Sequence, residues 1–233
     1  MNSILSNKCL KVPVFLACLV PGAIIIWDYL HLSGILVWGA LQDALSTNAN
    51  PVEYITHNSG DWTIRFLIIT LAITPLRKLF KLPALIRYRR MMGLFAFFYV
   101  CIHFTTYIYL YAQFNLHDMW VDVAKRKFIT VGFTAFLLMI PLAITSTAGW
   151  IRRMGGKNWI ILHRAIYCSA VLGVIHYAWL VKSDERKPIT YGVLVGILLL
   201  YRIVVWMKGK KKQPVAPGVR VAGPRQIETS ESA

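Results

Sequence analysis

Acidic residues are scarce in this chain: 10 Asp and Glu stand against 26 Lys and Arg in 233 residues. So basic a balance would suit a nucleic-acid partner, but the placement of the charge argues against one. The basic residues cluster between long apolar runs, which is the pattern of membrane topology. Cysteine is sparse too. Cys9, Cys18, Cys101 and Cys168 form no CxxC pair. All but Cys9 fall inside apolar runs, where a thiol behaves as a small buried hydrophobe. A cleavable signal is not expected, because the first apolar run carries Trp27 and Asp28 where small residues would precede a cleavage site. Also missing are a nucleotide-binding glycine loop after a strand, a 20–50-residue repeat and a nucleophile–base constellation within the apolar runs. Gly155-Gly156 reads as a turn.

What the chain has in excess is apolar surface: 57% of residues are hydrophobic, against about 45–50% in soluble domains. A bilayer core needs about 20 mostly apolar residues per helix. Six runs qualify, at 12–30, 62–80, 91–111, 128–147, 159–181 and 189–207. A seventh stretch, 32–45, is too short and interrupted to span and reads as interfacial. The expected fold is therefore an all-α bundle of six transmembrane helices. Two units follow: a membrane domain over 1–207, and a basic, disordered tail over 208–233.

Charge sets the orientation. Lys8 and Lys11 precede the first span. Arg77, Lys78, Lys81, Arg87, Arg89 and Arg90 follow the second, Arg152, Arg153 and Lys157 the fourth, and Lys208 and Lys210–212 the sixth. With six spans all of these lie on one side. The opposite loop, 32–61, has no Lys or Arg at all. The positive-inside rule then places both termini in the cytoplasm. Trp150, Trp159, Trp179 and Trp206 near span ends fit an interfacial aromatic belt.

Ionisable groups inside spans are costly and mark function by default. Three histidines qualify: His103 in span three, and His163 and His176 in span five. Imidazole is a common axial ligand of haem iron, and facing helices can supply both ligands. Depth selects the pair. His103 lies 13 residues beyond Arg90, near mid-membrane or slightly outward. His163 is six residues beyond Lys157, near the cytoplasmic face, and His176 is six before Lys182. At the helical rise, His163 and His176 are separated by roughly 20 Å, too far for one flat haem. His103 and His176 are therefore paired, and His163 belongs to a second level. A 13-residue step also leaves His163 and His176 about 140° apart around an ideal helix, which calls for a bend near Gly173 or a long imidazole reach. Arg89, on nearly the same face as His103, could contact a propionate, a flavin phosphate or a second haem near His163. Arg65 could neutralise a propionate or simply snorkel to the surface. His117 reads as a loop residue, and His31 and His57 as interfacial.

Several stretches together carry a family resemblance. They are 51–60 with its His57-Asn58-Ser59-Gly60, Ile73-Thr74-Pro75-Leu76, and Leu85-Ile86-Arg87-Tyr88-Arg89-Arg90-Met91-Met92-Gly93-Leu94. To these add His103-Phe104-Thr105-Thr106-Tyr107, Leu162-His163-Arg164 and Ile175-His176-Tyr177-Ala178-Trp179. In order and spacing they resemble the MsrQ (YedZ) family, haem-binding membrane subunits of bacterial periplasmic methionine-sulfoxide reductase systems. The resemblance runs from about Val12 to Met207 and extends to ferric reductase-like transmembrane domains. It implies haem b, one or two, held by His103 and His176, with His163 also important to haem or flavin binding. It implies FMN, a multi-pass place in the bacterial inner membrane, and electrons from the quinone pool or a cytoplasmic flavin reductase. The implied acceptor is a periplasmic molybdenum enzyme, MsrP. On this reading the chain is an electron-transfer subunit rather than the catalytic one. The competing expectations are a cytochrome b561-type or stand-alone ferric reductase, and a cofactor-free transporter or assembly protein.

Overall fold

The computed structural model describes residues 8–32, 51–181 and 186–210. Among these residues the regular elements are all helical. They are α1 (Lys11–Leu32), α2 (Pro51–Leu79), and α3 (Ile86–Thr106) prolonged by a π-helical turn at Tyr107–Tyr111. Next come α4 (Leu116–Lys125), α5 (Lys127–Ile144), α6 (Ala148–Met154) and α7 (Gly156–His163). The last are α8 (Ala165–Leu180) and α9 (Arg186–Lys210). The interfacial stretch expected at 32–45 and the tail beyond Lys210 lie outside the described residues.

Among the described residues five segments are long and apolar enough to cross a bilayer: Lys11–Leu30, Pro83–Tyr111, Lys127–Ile144, Gly156–Leu180 and Arg186–Lys208. The chain is thus a multi-pass membrane protein. Leu16, Ile197, Leu200 and Ile203 point outward and are more than half exposed, an outer surface that only lipid would cover. Helix α2 differs from the five because Asp61, Arg65, Arg77 and Lys78 break up its apolar content.

The most extensive pairings are α2 with α3 and α5 with α8. Contacts of α3 with α5 and of α2 with α8 close the two pairs on each other. Helix α1 packs on α2 and α3, and α9 on α8 and α2.

Two prolines inside helices explain two inter-helix ties. Pro75 leaves the Leu71 carbonyl without its helical donor. Arg202 of α9 supplies one, at 2.9 Å, while its other terminal nitrogen donates to the Tyr167 hydroxyl at 2.6 Å. In α1, Pro21 weakens the helix beside Gly22. The Tyr99 hydroxyl accepts from the Gly22 N–H at 2.8 Å and donates to the Cys18 carbonyl at 2.7 Å. These are the two groups that an unbroken helix would pair with each other. A Cβ at Gly22 would stand 3.3 Å from that hydroxyl, so glycine keeps the approach open. Tyr99 is fully buried and its ring stacks on Phe66 at 5.0 Å. Tyr99→Phe should cost about 1–3 kcal/mol, since it removes the buried bridge. The expected result is a thermal midpoint in detergent lowered by about 2–4 °C per kcal/mol; an unchanged midpoint would show that α1 closes without Tyr99.

The structure corrects three readings of the sequence. Helix α2 begins at Pro51, not near 62, so His57 through Gly60 are helical rather than part of an outer loop. Pro51 in the first turn and Glu53 beside the positive helix end favour this start. The expected loop around His117 is the amphipathic helix α4, capped by the Asn115 side chain, which accepts from His117 and Asp118 N–H. Finally, span five is interrupted at Arg164, and α8 runs unbroken through Gly173. Three-residue bonds, Arg164 N–H to the Ile161 carbonyl and Tyr167 N–H to the Arg164 carbonyl, replace the α-helical pattern there.

Candidate functional site

Where the two helix pairs meet, α3 and α8 bring His103 and His176 together, with ring centroids 6.1 Å apart and planes at 78°. Each imidazole is held in the same way by the partner helix of its pair. The Nδ1–H of His103 donates to the Thr56 carbonyl of α2 at 3.0 Å. That of His176 donates to the Phe128 carbonyl of α5 at 2.7 Å. In both cases the residue four positions past that carbonyl is a glycine, Gly60 or Gly132. A Cβ on Gly60 would lie 3.2 Å from the His103 ring, and one on Gly132 only 2.6 Å from His176 Nδ1. The glycines let each ring lie against a helix backbone and reach a carbonyl. Ser59 adds a hydroxyl 3.2 Å from His103 Nδ1 while donating to the same Thr56 carbonyl.

The chemical consequence is a fixed tautomer. With Nδ1–H committed to a carbonyl, Nε2 is the lone-pair nitrogen of each ring. Two neutral imidazoles side by side are of the kind that could ligate one metal. Metal–imidazole bonds of about 2 Å on opposite sides of one ion would put the centroids roughly 6 Å apart. A cavity of ≈ 260 Å³ opens at the pair, and its wall is largely aromatic and aliphatic, including Phe104, Phe133, Phe136 and Met139. Among the described residues, no group of three or more His, Cys, Asp or Glu could hold a metal ion. The four cysteines are free thiols.

The other expected residues are elsewhere. His163 sits at the end of α7, stacked on Trp159 with centroids 3.8 Å apart. Its Nδ1–H donates to the Trp159 carbonyl at 3.0 Å, and Nε2 lies 3.4 Å from the Ser146 hydroxyl. It does not line the His103–His176 cavity. Arg89 lies within electrostatic reach of both His163 and Arg202. Arg65, expected either to neutralise a propionate or to snorkel, does not line the cavity. Asp61, buried one turn earlier on α2, draws the guanidinium to 3.9 Å and pairs with Lys187 at 3.1 Å. Arg65 Nε donates to Tyr191, and its plane lies 4.7 Å from the Trp62 centroid. Arg65 therefore ties α2 to α9. His117 is exposed on α4, whereas His57 lines the cavity, 3.9 Å from Glu53.

Sequence reasoning missed the carbonyl–glycine pairs and Asp61. Signals for both were present. A glycine inside a helix costs about 1 kcal/mol relative to alanine, so its presence in an apolar run asks for a packing reason. An acidic residue at a span end asks for a partner.

Fold and site together define a membrane helical bundle with a paired-histidine centre between its helices. Residues 59–174 match the ferric reductase like transmembrane component family. Across most of its length the chain is similar to proteins named protein-methionine-sulfoxide reductase heme-binding subunit MsrQ. The relative from Herminiimonas arsenicoxydans is 50% identical over 202 residues, covering 84% of this chain and 93% of the relative. That from Rhodospirillum rubrum is 46% identical, covering 83% and 87%. The one from Xanthomonas euvesicatoria is 44% identical, covering 92% and 93%. No solved structure matches the chain. The chain belongs to the MsrQ family.

Proposed function

We propose that this chain is the electron-carrying membrane subunit of a methionine-sulfoxide reductase system, with a b-type haem held between His103 and His176. The observation that carries the reading is the histidine pair itself: two rings 6.1 Å apart, each with Nδ1–H tied to a backbone carbonyl. The residues present fit the group. Each ring keeps Nε2 as its lone-pair nitrogen, and the apolar aromatic wall suits a flat macrocycle. When bound, haem supplies a one-electron ferric–ferrous couple. The protein supplies the ligands, their orientation and a dry surrounding.

In this reading α2 joins the five apolar segments as a sixth span, because it packs centrally against α3, α1, α9 and α8. Both termini are then cytoplasmic. Arg77, Lys78, Arg89, Arg90, Arg152 and Arg153 mark the inner face of the bacterial inner membrane. The His103–His176 level lies toward the outer face and suits delivery to a periplasmic acceptor, the molybdenum enzyme MsrP. The inner cluster of His163, Arg89 and Arg202 would take the phosphate or carboxylate of a second cofactor, FMN or a second haem. It is also the side on which quinone or a cytoplasmic flavin reductase would deliver electrons.

The test is anaerobic electron transfer. The purified chain, reduced beforehand, is mixed with the periplasmic molybdenum reductase and methionine sulfoxide. Sulfoxide reduction takes two electrons and two protons and yields the thioether and water. The haem bands are expected to reoxidise, with two haem equivalents oxidised per methionine formed. Bands that persist with the reductase yet vanish with a ferric chelate would contradict the proposal and favour a ferric reductase.

A further inference from the structure

The cavity beside the histidine pair is lined mostly by aromatic and aliphatic side chains. Among the described residues that line it, Arg126 is the one Lys, Arg, Asp or Glu. It stands at the junction of α4 and α5, two residues before Phe128, whose carbonyl holds His176. Its guanidinium is fixed from behind. Nε forms an ion pair with Asp122 Oδ1 at 3.0 Å, and the other oxygen of that carboxylate accepts from the Tyr107 hydroxyl at 3.1 Å. Tyr107 in turn lies one helical turn beyond His103. The clamp thus joins the α3 wall of the cavity to the α5 wall. It engages Nε, not the two terminal nitrogens that make the bidentate edge of arginine. His57, Tyr107 and Tyr111 line the same cavity.

The Asp122 pair engages only Nε of a side chain that is 58% exposed, so the guanidinium can still receive a second anion that enters the cavity. Burying a carboxylate without a partner is costly, and arginine meets its two oxygens with two parallel bonds. From this geometry we propose that Arg126 is a carboxylate-binding residue of the site, positioned by Asp122 and Tyr107, and that it takes a propionate of the group between His103 and His176. The proposal rests on the haem reading and deepens it. It also gives the haem a direction, with its propionate edge toward the α4–α5 corner.

The experiment uses the full-length chain expressed in haem-deficient cells. It is titrated with haem and with haem dimethyl ester, whose carboxylates are blocked, and followed by the Soret band. Wild type should bind the ester about tenfold more weakly than haem, the scale of a lost charge-assisted pair. In Arg126→Gln that difference should collapse, while the low-spin spectrum given by the two histidines persists. Arg126→Lys keeps the charge without the fork and should show an intermediate gap, which preserves the test should the glutamine variant fold poorly. On the holoprotein, the haem propionate bending band in the resonance Raman spectrum should shift in Arg126→Gln, with the iron–ligand region unchanged. A wild-type-sized gap in both variants would overturn the proposal and leave the haem reading standing. A wild-type chain that takes up neither haem nor ester would overturn both.

Discussion

Gly132→Ala should strip the protein of most of its haem. The added methyl would lie 2.6 Å from Nδ1, 2.8 Å from Cε1 and 3.0 Å from Cγ of His176. These are ring atoms on a side chain anchored at 2.7 Å to the Phe128 carbonyl, so no flexible tip can swing away. Either the imidazole turns and loses that bond, or α5 and α8 move apart. Overpacking of this kind costs about 1–3 kcal/mol on its own. Loss of the partner that orients a metal ligand typically lowers metal affinity by about 10–100-fold. Haem per chain, measured after purification from haem-replete cells, is therefore expected to fall by at least about tenfold. Gly60→Ala serves as the internal comparison. Its methyl would meet the His103 ring at 3.2 Å, which a shift of a few tenths of an ångström relieves, so its haem loss should be clearly smaller. Equal haem content in Gly132→Ala and wild type would mean that the His176 ring is not held against α5.

The histidine pair was legible in the sequence because depth is legible. Basic residues flank spans three and five, the helical rise is fixed, and counting from Arg90 and Lys182 brings His103 and His176 to similar levels. The same counting separates His163, and the structure places it against Trp159 and Ser146, away from the pair. Rotation around the helix was not legible. An ideal helix left His163 and His176 on discordant faces. The structure breaks this span at Arg164, where no proline or glycine announces it. The break depends on three-residue hydrogen bonds that only the packed chain reveals.

The start of α2 was hidden for a different reason. Residues 51–60 carry Thr56, Asn58, Ser59 and Gly60, which are poor helix formers, with no apolar run to reveal them. Tertiary contacts hold them: Thr56 and Ser59 bond to His103, and Ile55 is fully buried. The segment that looked like a loop is thus part of the site. Arg65 shows the converse. Charge and position left it between a propionate contact and a snorkelling side chain, and in the structure Asp61 and Tyr191 engage it. The residue that does line the cavity, Arg126, was not singled out from sequence.

The central claim is that one haem is bracketed by His103 and His176, with His163 at a separate level. The measurement that tests it most directly is the low-spin haem signal, by electron paramagnetic resonance and reduced optical spectra, in three variants. His103→Ala and His176→Ala should each abolish the same low-spin species, leaving no haem or a high-spin five-coordinate form. His163→Ala should retain that species, whatever it does to a second cofactor at the inner cluster. A low-spin signal that survives intact in either His103→Ala or His176→Ala would contradict the pairing, and with it the account of how this bundle holds its haem.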